Sequence, residues 1–395
     1  MTSLRIFGAV VLAALLTGAA GASTGLARAA GPTVTAIDLG TLGGTSSFAH
    51  AVNASGQVIG ESFTAAGQIH AFSWTQAGGM VDLGTLGGNT SSARDVNSSG
   101  QVVGESQVTV GGPPHAFSWT ASGGMVDLGT LGGTFSTAYA VNARGEVVGE
   151  STIAAGGPSH AFLWTKAGGM VDLGTLGEGS LAGAVSPSGQ VVGNSELPGL
   201  VGAHAFSWTR QGGMVDLGTL GGDVSTANDV SPSGQVIGVS ATAPGSPFVV
   251  PQHAFSWTAK GGLVDLGTLG GDMSLAGRVN SSGQVVGLSN LAPDGPFHAF
   301  SWTESGGMVD LGTLGGAGSS ATDVNASGQV VGGSSISGDS SATHAFSWTR
   351  AGGMVDLGTI GGLDSNAVAV NARGDAVGSS STTGHTNFHA TLWRT

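Results

Sequence analysis

The sequence predicts an all-β fold, an eight-bladed β-propeller of four-stranded blades closed by an N-terminal strand. Three observations carry that prediction. The motif His-Ala-Phe-Ser-Trp-Thr and its close variants recur in eight copies, 44 to 49 residues apart, and a period near 45 residues is the length of a propeller blade. Each unit holds four short runs rich in Val, Phe, Trp and Thr, bounded by Gly, Ser and Asn, with no helical period of useful length. The chain begins with the last strand of a unit and ends on the third, so its two ends are complementary.

In chain order, residues 1–29 read as a signal peptide. Arg5 precedes an apolar run over residues 6–16, and small residues lead to Ala27-Arg28-Ala29, an A-x-A cleavage pattern. The run is too short to span a bilayer, which takes about 20 residues, and no later stretch of that length lacks turn glycines. Residues 30–395 are then a single β-propeller domain of eight repeats, secreted, extracellular and without membrane insertion of the mature chain. Cleavage after Ala22 is the alternative. Removal of Arg5 and Arg28 leaves the mature chain more acidic than the full net charge of −13.

The second unit illustrates the blade. Its strands a, b, c and d are read over residues 93–97, 101–106, 115–120 and 125–128. Asn97-Ser98-Ser99-Gly100 joins a to b, with Asn suited to the first position of a type I turn and Gly to the left-handed position that makes a bulge. Two repeats place proline second in this turn, Ser186-Pro187-Ser188-Gly189 and Ser231-Pro232-Ser233-Gly234, where its fixed φ is wanted. Gly123-Gly124 turns c into d. Gly-Thr-Leu-Gly-Gly crosses from one blade to the next, and it lacks the lysine and following helix of a phosphate loop. At the ends, strand d over residues 36–39 is expected to pair with strand c over 389–393, which removes the open edges; an open solenoid would carry polar capping repeats instead.

His-Ala-Phe, together with Asp-Leu-Gly-Thr-Leu-Gly-Gly and Val-Asn-x-Ser-Gly-Gln-Val-Val-Gly, resembles the extracellular HAF-repeat family over residues 34–393. The resemblance implies a secreted or surface repeat protein. The a–b hairpin ending in Val-Val-Gly looks like the core of a kelch blade, which places the blade boundary after Asp-Leu-Gly; a phase with His-Ala-Phe-Ser-Trp innermost is the alternative. Glu178 for glycine, Ala390-Thr391-Leu392 for Ala-Phe-Ser and Asp375-Ala376 for Gln-Val mark the fourth linker and the closing blade as irregular.

Composition narrows the function. Charged residues are 9% of the chain and mostly acidic, whereas nucleic-acid binding needs clustered Lys and Arg to displace counterions. Cysteine is absent, which excludes disulfides, thiolate ligands and a cysteine nucleophile. The repeated histidines His70, His115, His160, His204, His253, His298, His344 and His389 stand one per blade, too far apart to share an ion at ligand distances of about 2 Å. They are expected to hydrogen-bond within their own blades. The repeated aspartates Asp38, Asp82, Asp127, Asp172, Asp216, Asp265, Asp310 and Asp356 are expected to be structural and buried, bonded to the neighbouring turn, because paired catalytic carboxylates need unlike environments. His50 and His385, outside the motif, read as surface residues, and the eight tryptophans as core between blades.

Variation concentrates between strands b and c, on a face shared with the d–a crossings. The segment 241–252 makes the longest interval, 49 residues from His204 to His253, and carries Pro244, Pro247, Phe248, Val249, Val250 and Pro251. Prolines lower the entropy lost on ordering, and Phe-Val-Val offers apolar area to a partner. These are the candidate ligand-binding residues. The sequence is therefore expected to encode a monomeric, non-enzymatic binding module without cofactor or metal, for an extracellular glycan, peptide or protein. The alternatives are a propeller enzyme acting on glycans and a structural or adhesive envelope component.

Overall fold

A computed structural model describes residues 34–199, 202–245, 250–337, 339–384 and 387–394. The expected signal peptide and His385 lie outside the described residues. Among the described residues, thirty-two strands form eight four-stranded sheets. Blade 1 is β2 (Gly43–Val52), β3 (Val58–Thr64), β4 (Ile69–Thr75) and β5 (Gly79–Asp82); blade 2 is β6 (Ser91–Val96), β7 (Val102–Gln107), β8 (Pro114–Thr120) and β9 (Gly124–Asp127). Blade 8 is β30 (Gly361–Val370), β31 (Ala376–Thr382) and β32 (Phe388–Arg394), completed by β1 (Thr35–Asp38) from the other end of the chain.

The expected closure is present: β1 runs antiparallel to β32 with Ala36 opposite Trp393 and Asp38 opposite Thr391. Strand a of each blade touches strand a of the next around the axis. Strand a is therefore innermost, and the phase with His-Ala-Phe-Ser-Trp innermost is excluded. Strand limits differ from the sequence reading by one or two residues: β6 begins two residues earlier, while Asn97, Gln101 and Leu128 fall outside the strands.

The a–b hairpin follows its turn chemistry. Gly100 adopts φ +86°, its N–H bonds Asn97 O at 3.1 Å, and Asn97 Oδ1 accepts from the N–H groups of Ser99 and Gln101. One feature is not visible in the alternation of residues: strand a carries a bulge in every blade, as between Ala93 and Asp95 in β6. The bulge brings the a-strand backbone against strand b, where a Cβ on Gly104 would collide with Ser92 O. That contact explains glycine in Val-Val-Gly.

Blades are joined by apolar clusters and by repeated hydrogen bonds. Ile59, Ala71 and Leu83 of blade 1 pack on Ala93, Val96, Val102 and Phe117 of blade 2, with Trp119 against them. Every tryptophan joins such a cluster, in keeping with the core reading. Ala71 N–H donates to Ser91 Oγ of the next blade at 2.8 Å, and Asn53 Nδ2 donates to Asn97 O. At the closing joint Asn371 Nδ2 donates to Asn53 O at 3.3 Å and Ala390 N–H to Ser47 Oγ at 2.8 Å. The joint between the chain ends thus uses the same groups as an internal one.

Candidate ligand-binding face

Antiparallel order within each blade brings the b–c loops and d–a crossings to one face. At its rim stand the eight repeated histidines, each at the start of strand c, with Nδ1 bonded to the aspartate at the end of strand d in the same blade. The pairs His70–Asp82, His115–Asp127, His160–Asp172 and His204–Asp216 lie at 2.8 to 3.0 Å. His253–Asp265, His298–Asp310, His344–Asp356 and His389–Asp38 repeat them at 2.8 to 2.9 Å, the last across the two chain ends. Each aspartate also accepts the N–H two residues on, as Gly84 N–H donates to Asp82 Oδ1 at 2.7 Å. The carboxylates are not buried as expected: the Asp127 side chain is 41% exposed beside a His115 that is 21% exposed. Strand d is outermost, so its end meets solvent. The pair pins c to d, and no group of three or more His, Asp or Glu among the described residues could hold a metal ion.

The segment 241–252 is anchored at its base. Thr242 N–H donates to Pro251 O at 3.1 Å, and Gly245 N–H to Asp223 Oδ2 at 2.9 Å. Pro244 is exposed, and Val250 and Pro251 are half-buried. Pro247, Phe248 and Val249 lie outside the described residues.

Two further positions break the eightfold pattern, and the sequence reading passed over both. On strand b the residue after Val-Val-Gly is Glu61, Glu105, Glu150, Asn194, Val239, Leu288, Gly333 and Ser379 in successive blades. The acidic side chains fall in blades 1 to 3. Arg94 Nη2 donates to Glu105 Oε1 at 2.7 Å, Thr137 Oγ1 of the next blade to Glu105 Oε2 at 2.6 Å, and Tyr139 Oη to Glu150 Oε1 at 2.8 Å. Burial and the charges of Glu150 and Glu105 push the Tyr139 phenol up. Burial lowers the Arg94 guanidinium, but the charge and hydrogen bond of Glu105, with smaller contributions from Tyr139 and Glu61, outweigh it and hold Arg94 above its ordinary value.

On strand a the residue before Val-Asn or Val-Ser is Ala51, Asp95, Ala140, Ala184, Asp229, Arg278, Asp323 and Ala369. Asp95 Oδ2 accepts Val141 N–H of the next blade at 2.8 Å, and Asp323 Oδ2 likewise accepts Val370 N–H. Burial pushes both carboxyls up, against these hydrogen bonds and the charge of Arg278. Arg278, on innermost strand a, is solvent-exposed; it feels the charges of Asp229, Asp323 and Asp95, and among the described residues it makes no direct ion pair. His50 also lines this inner wall, where Nδ1 donates to Ala93 O of the next blade at 2.7 Å; it is not an outer-surface histidine. Writing the eight repeats one above another would have exposed both variable positions.

Clefts open at two blade joints. One, of 600 Å³, lies on the opposite face beside Trp257 and Lys260. The other, of 270 Å³, lies on the b–c side between blades 1 and 2, with Glu61, Ser92 and Glu105 in its wall.

No family profile matches the chain, and no curated protein matches it. Solved structures do resemble it. The β-propeller domain of the Trilobed protease from Pyrococcus furiosus shares 9% identity, with 79% of this chain and 98% of that one covered, at TM-score 0.47. A puromycin hydrolase shares 15% identity over 85% of this chain, at TM-score 0.45. TolB from Acinetobacter baumannii shares 9% over 88%, at TM-score 0.39. The chain spans 64% of TolB and 58% of the hydrolase. At these similarities the likenesses say nothing about chemistry. The chain is an eight-bladed, four-stranded β-propeller closed by its N-terminal strand.

Proposed function

We propose that this chain is a secreted, non-catalytic, monomeric propeller of the HAF-repeat kind, with kelch-like hairpins, that binds an extracellular partner on its b–c face. The observation that carries the reading is where the repeats differ. The opposite face presents a–b and c–d turns of constant length, whereas the b–c face combines eight loops unlike in length and chemistry with an acidic sector on blades 1 to 3. Recognition usually lies on variable loops held by a rigid scaffold. Secretion rests on the N-terminal pattern of Arg5, the apolar run and Ala27-Arg28-Ala29.

The purified chain, screened on glycan and peptide arrays beside assays of glycan cleavage, tests this reading. Binding without cleavage is expected. Removing residues 245–249 should leave melting nearly unchanged and weaken binding. Undiminished binding would move the site away from that loop, and turnover of a glycan would replace the binder with an enzyme.

A further inference from the structure

We propose that the cleft between blades 1 and 2 is a subsite for a primary alkylammonium group, of the kind a lysine side chain of a peptide partner carries. The inference rests on the b–c face being the binding face, and it names the chemistry of one place on it. Two neighbouring blade joints differ here. Between blades 2 and 3, Glu105 and Thr137 meet and bond at 2.6 Å. Between blades 1 and 2 the equivalent residues are Glu61 and Ser92, and they do not meet. Ser92 is 9% exposed, its Oγ has no partner, and Glu61 accepts no hydrogen bond among the described residues. A 270 Å³ cleft separates the groups that close the next joint.

Most of the polar wall is already committed. Ser91 Oγ accepts Ala71 N–H and donates to Gly84 O, and Ser106 Oγ accepts Leu86 N–H. Gln107 Oε1 accepts Asn89 N–H, and Glu105 holds Arg94 and Thr137. What is left is the Glu61 carboxylate and the buried Ser92 hydroxyl, with the half-buried Thr90 hydroxyl and the Gln107 amide NH2 beside them and Ile69 and Pro114 as an apolar wall. A neutral sugar ring would leave the Glu61 charge uncompensated. An ammonium brings one charge that Glu61 neutralises, donors for the Glu61 and Ser92 oxygens, and a stem for the apolar wall. Arg94 does not reverse the balance, because Glu105 cancels it and Glu61 remains in surplus. Pockets for whole small ligands run to roughly 300–1,000 Å³, so this cleft suits a single side chain.

The open and closed joints differ in Ser92 against Thr137, a single methyl group, and in Arg94, which holds Glu105 where blade 1 has His50 bonded to Ala93 O. A β-branched threonine is stiff at χ1 and holds its hydroxyl on the carboxylate, whereas serine is freer to turn away. Ser92→Thr should therefore close the joint on Glu61 without harm to the fold.

The test is a calorimetric or NMR titration of the whole chain with Nα-acetyl-lysine N-methylamide, its neutral norleucine analogue, glucosamine and glucose. The lysine probe should bind, the norleucine analogue should bind at least tenfold more weakly, and binding should weaken as salt rises. Glu61→Gln and Ser92→Thr should each cost at least tenfold with melting unchanged; if Ser92→Thr fails to fold, Glu61→Gln alone decides. Equal binding of the two amino-acid probes, preference for either sugar, or indifference to Glu61→Gln overturns the subsite. If the lysine probe fails while an array ligand is still lost on removing residues 245–249, the subsite falls and the binding face stands.

Discussion

Replacing Glu146 with glutamine restores the residue that six other repeats carry at this position, yet it should destabilise the protein. In those repeats the amide donates to a serine on strand c, as Gln101 Nε2 donates to Ser118 Oγ at 2.9 Å. In blade 3 strand c (Ser159–Thr165) has Leu163 in place of that serine, 2% exposed. An amide there would turn its NH2 toward a leucine, whereas a carboxylate has no donor to satisfy. Glu146 instead accepts from Asn142 Nδ2 at 2.7 Å and Arg210 Nη2 at 3.1 Å. Blade 8 makes the same exchange, Leu392 with Asp375, and Asp375 is held by Asn371 and Arg394.

An unsatisfied buried donor costs about 1–3 kcal/mol, and the pair with an exposed arginine adds about 0–1 kcal/mol. With an unfolding entropy of about 2.1 cal/mol/K per residue over the whole ring, 1–3 kcal/mol lowers the melting temperature by about 1–4 °C. Urea unfolding followed by tryptophan fluorescence measures the same change. Leu163→Ser restores the acceptor, so Glu146→Gln should cost less in that background by about 1 kcal/mol. Acid provides a second check. Burial raises the Glu146 carboxyl, but the bonds from Asn142 and Arg210 and the charges of Arg210 and Arg144 outweigh it and hold it below 4.5. Its contribution is therefore present above pH 4.5 and lost as pH falls through the folded value. The deficit of Glu146→Gln should shrink over that range. A variant as stable as the parent, or one whose cost is the same in the Leu163→Ser background, refutes the argument.

Deleting residues 30–40 removes β1 and bares the edge of β32, so the chain should dimerise or aggregate; a monomer that melts with the parent on size-exclusion chromatography and calorimetry contradicts the closure account. His115→Ala should cost only about 0–1 kcal/mol, because its partner Asp127 is solvent-exposed; a loss of several kcal/mol in urea unfolding would mean that the pair is coupled to the core. Asp323 has a carboxyl raised by burial, so its protonated form is favoured by folding, and that contribution is lost as pH rises through the folded value. The parent should therefore gain stability over Asp323→Asn as pH falls from 7 toward 4, and urea midpoints that move the other way would exclude this.

The scaffold was legible because its information is local and repeated. Asn97 to Gly100 encodes its turn in four residues, and the one-strand offset of the ends encodes the closure. The site was less legible because it depends on which residues meet across a joint. Alternation cannot reveal the bulge at Arg94, which decides what the inner wall presents. Nor can it show that the repeated aspartates end on the outermost strand, so the expectation of burial failed at Asp127 and its equivalents. The proline-rich loop drew attention by length, while the Glu61, Glu105 and Glu150 series kept both length and pattern and differed only in chemistry.

A repeat ring gives each position an internal control. Where the eight copies agree, the group serves the joint: Ser91 and Ser47 hold strand c of the preceding blade in the same way, and glycine in Val-Val-Gly answers the same bulge. Where they differ, the joint has released the position, and its chemistry is free to serve something else. Some differences are repaired internally, as when Leu163 is matched by Glu146 and Leu392 by Asp375. Glu61 and Ser92 are a difference without repair. Thr137 shows that the same two positions can close on each other at 2.6 Å, so an open pair beside a closed one cannot be ascribed to the blade geometry. The unspent carboxylate and the buried hydroxyl are what blades 1 and 2 offer to a partner.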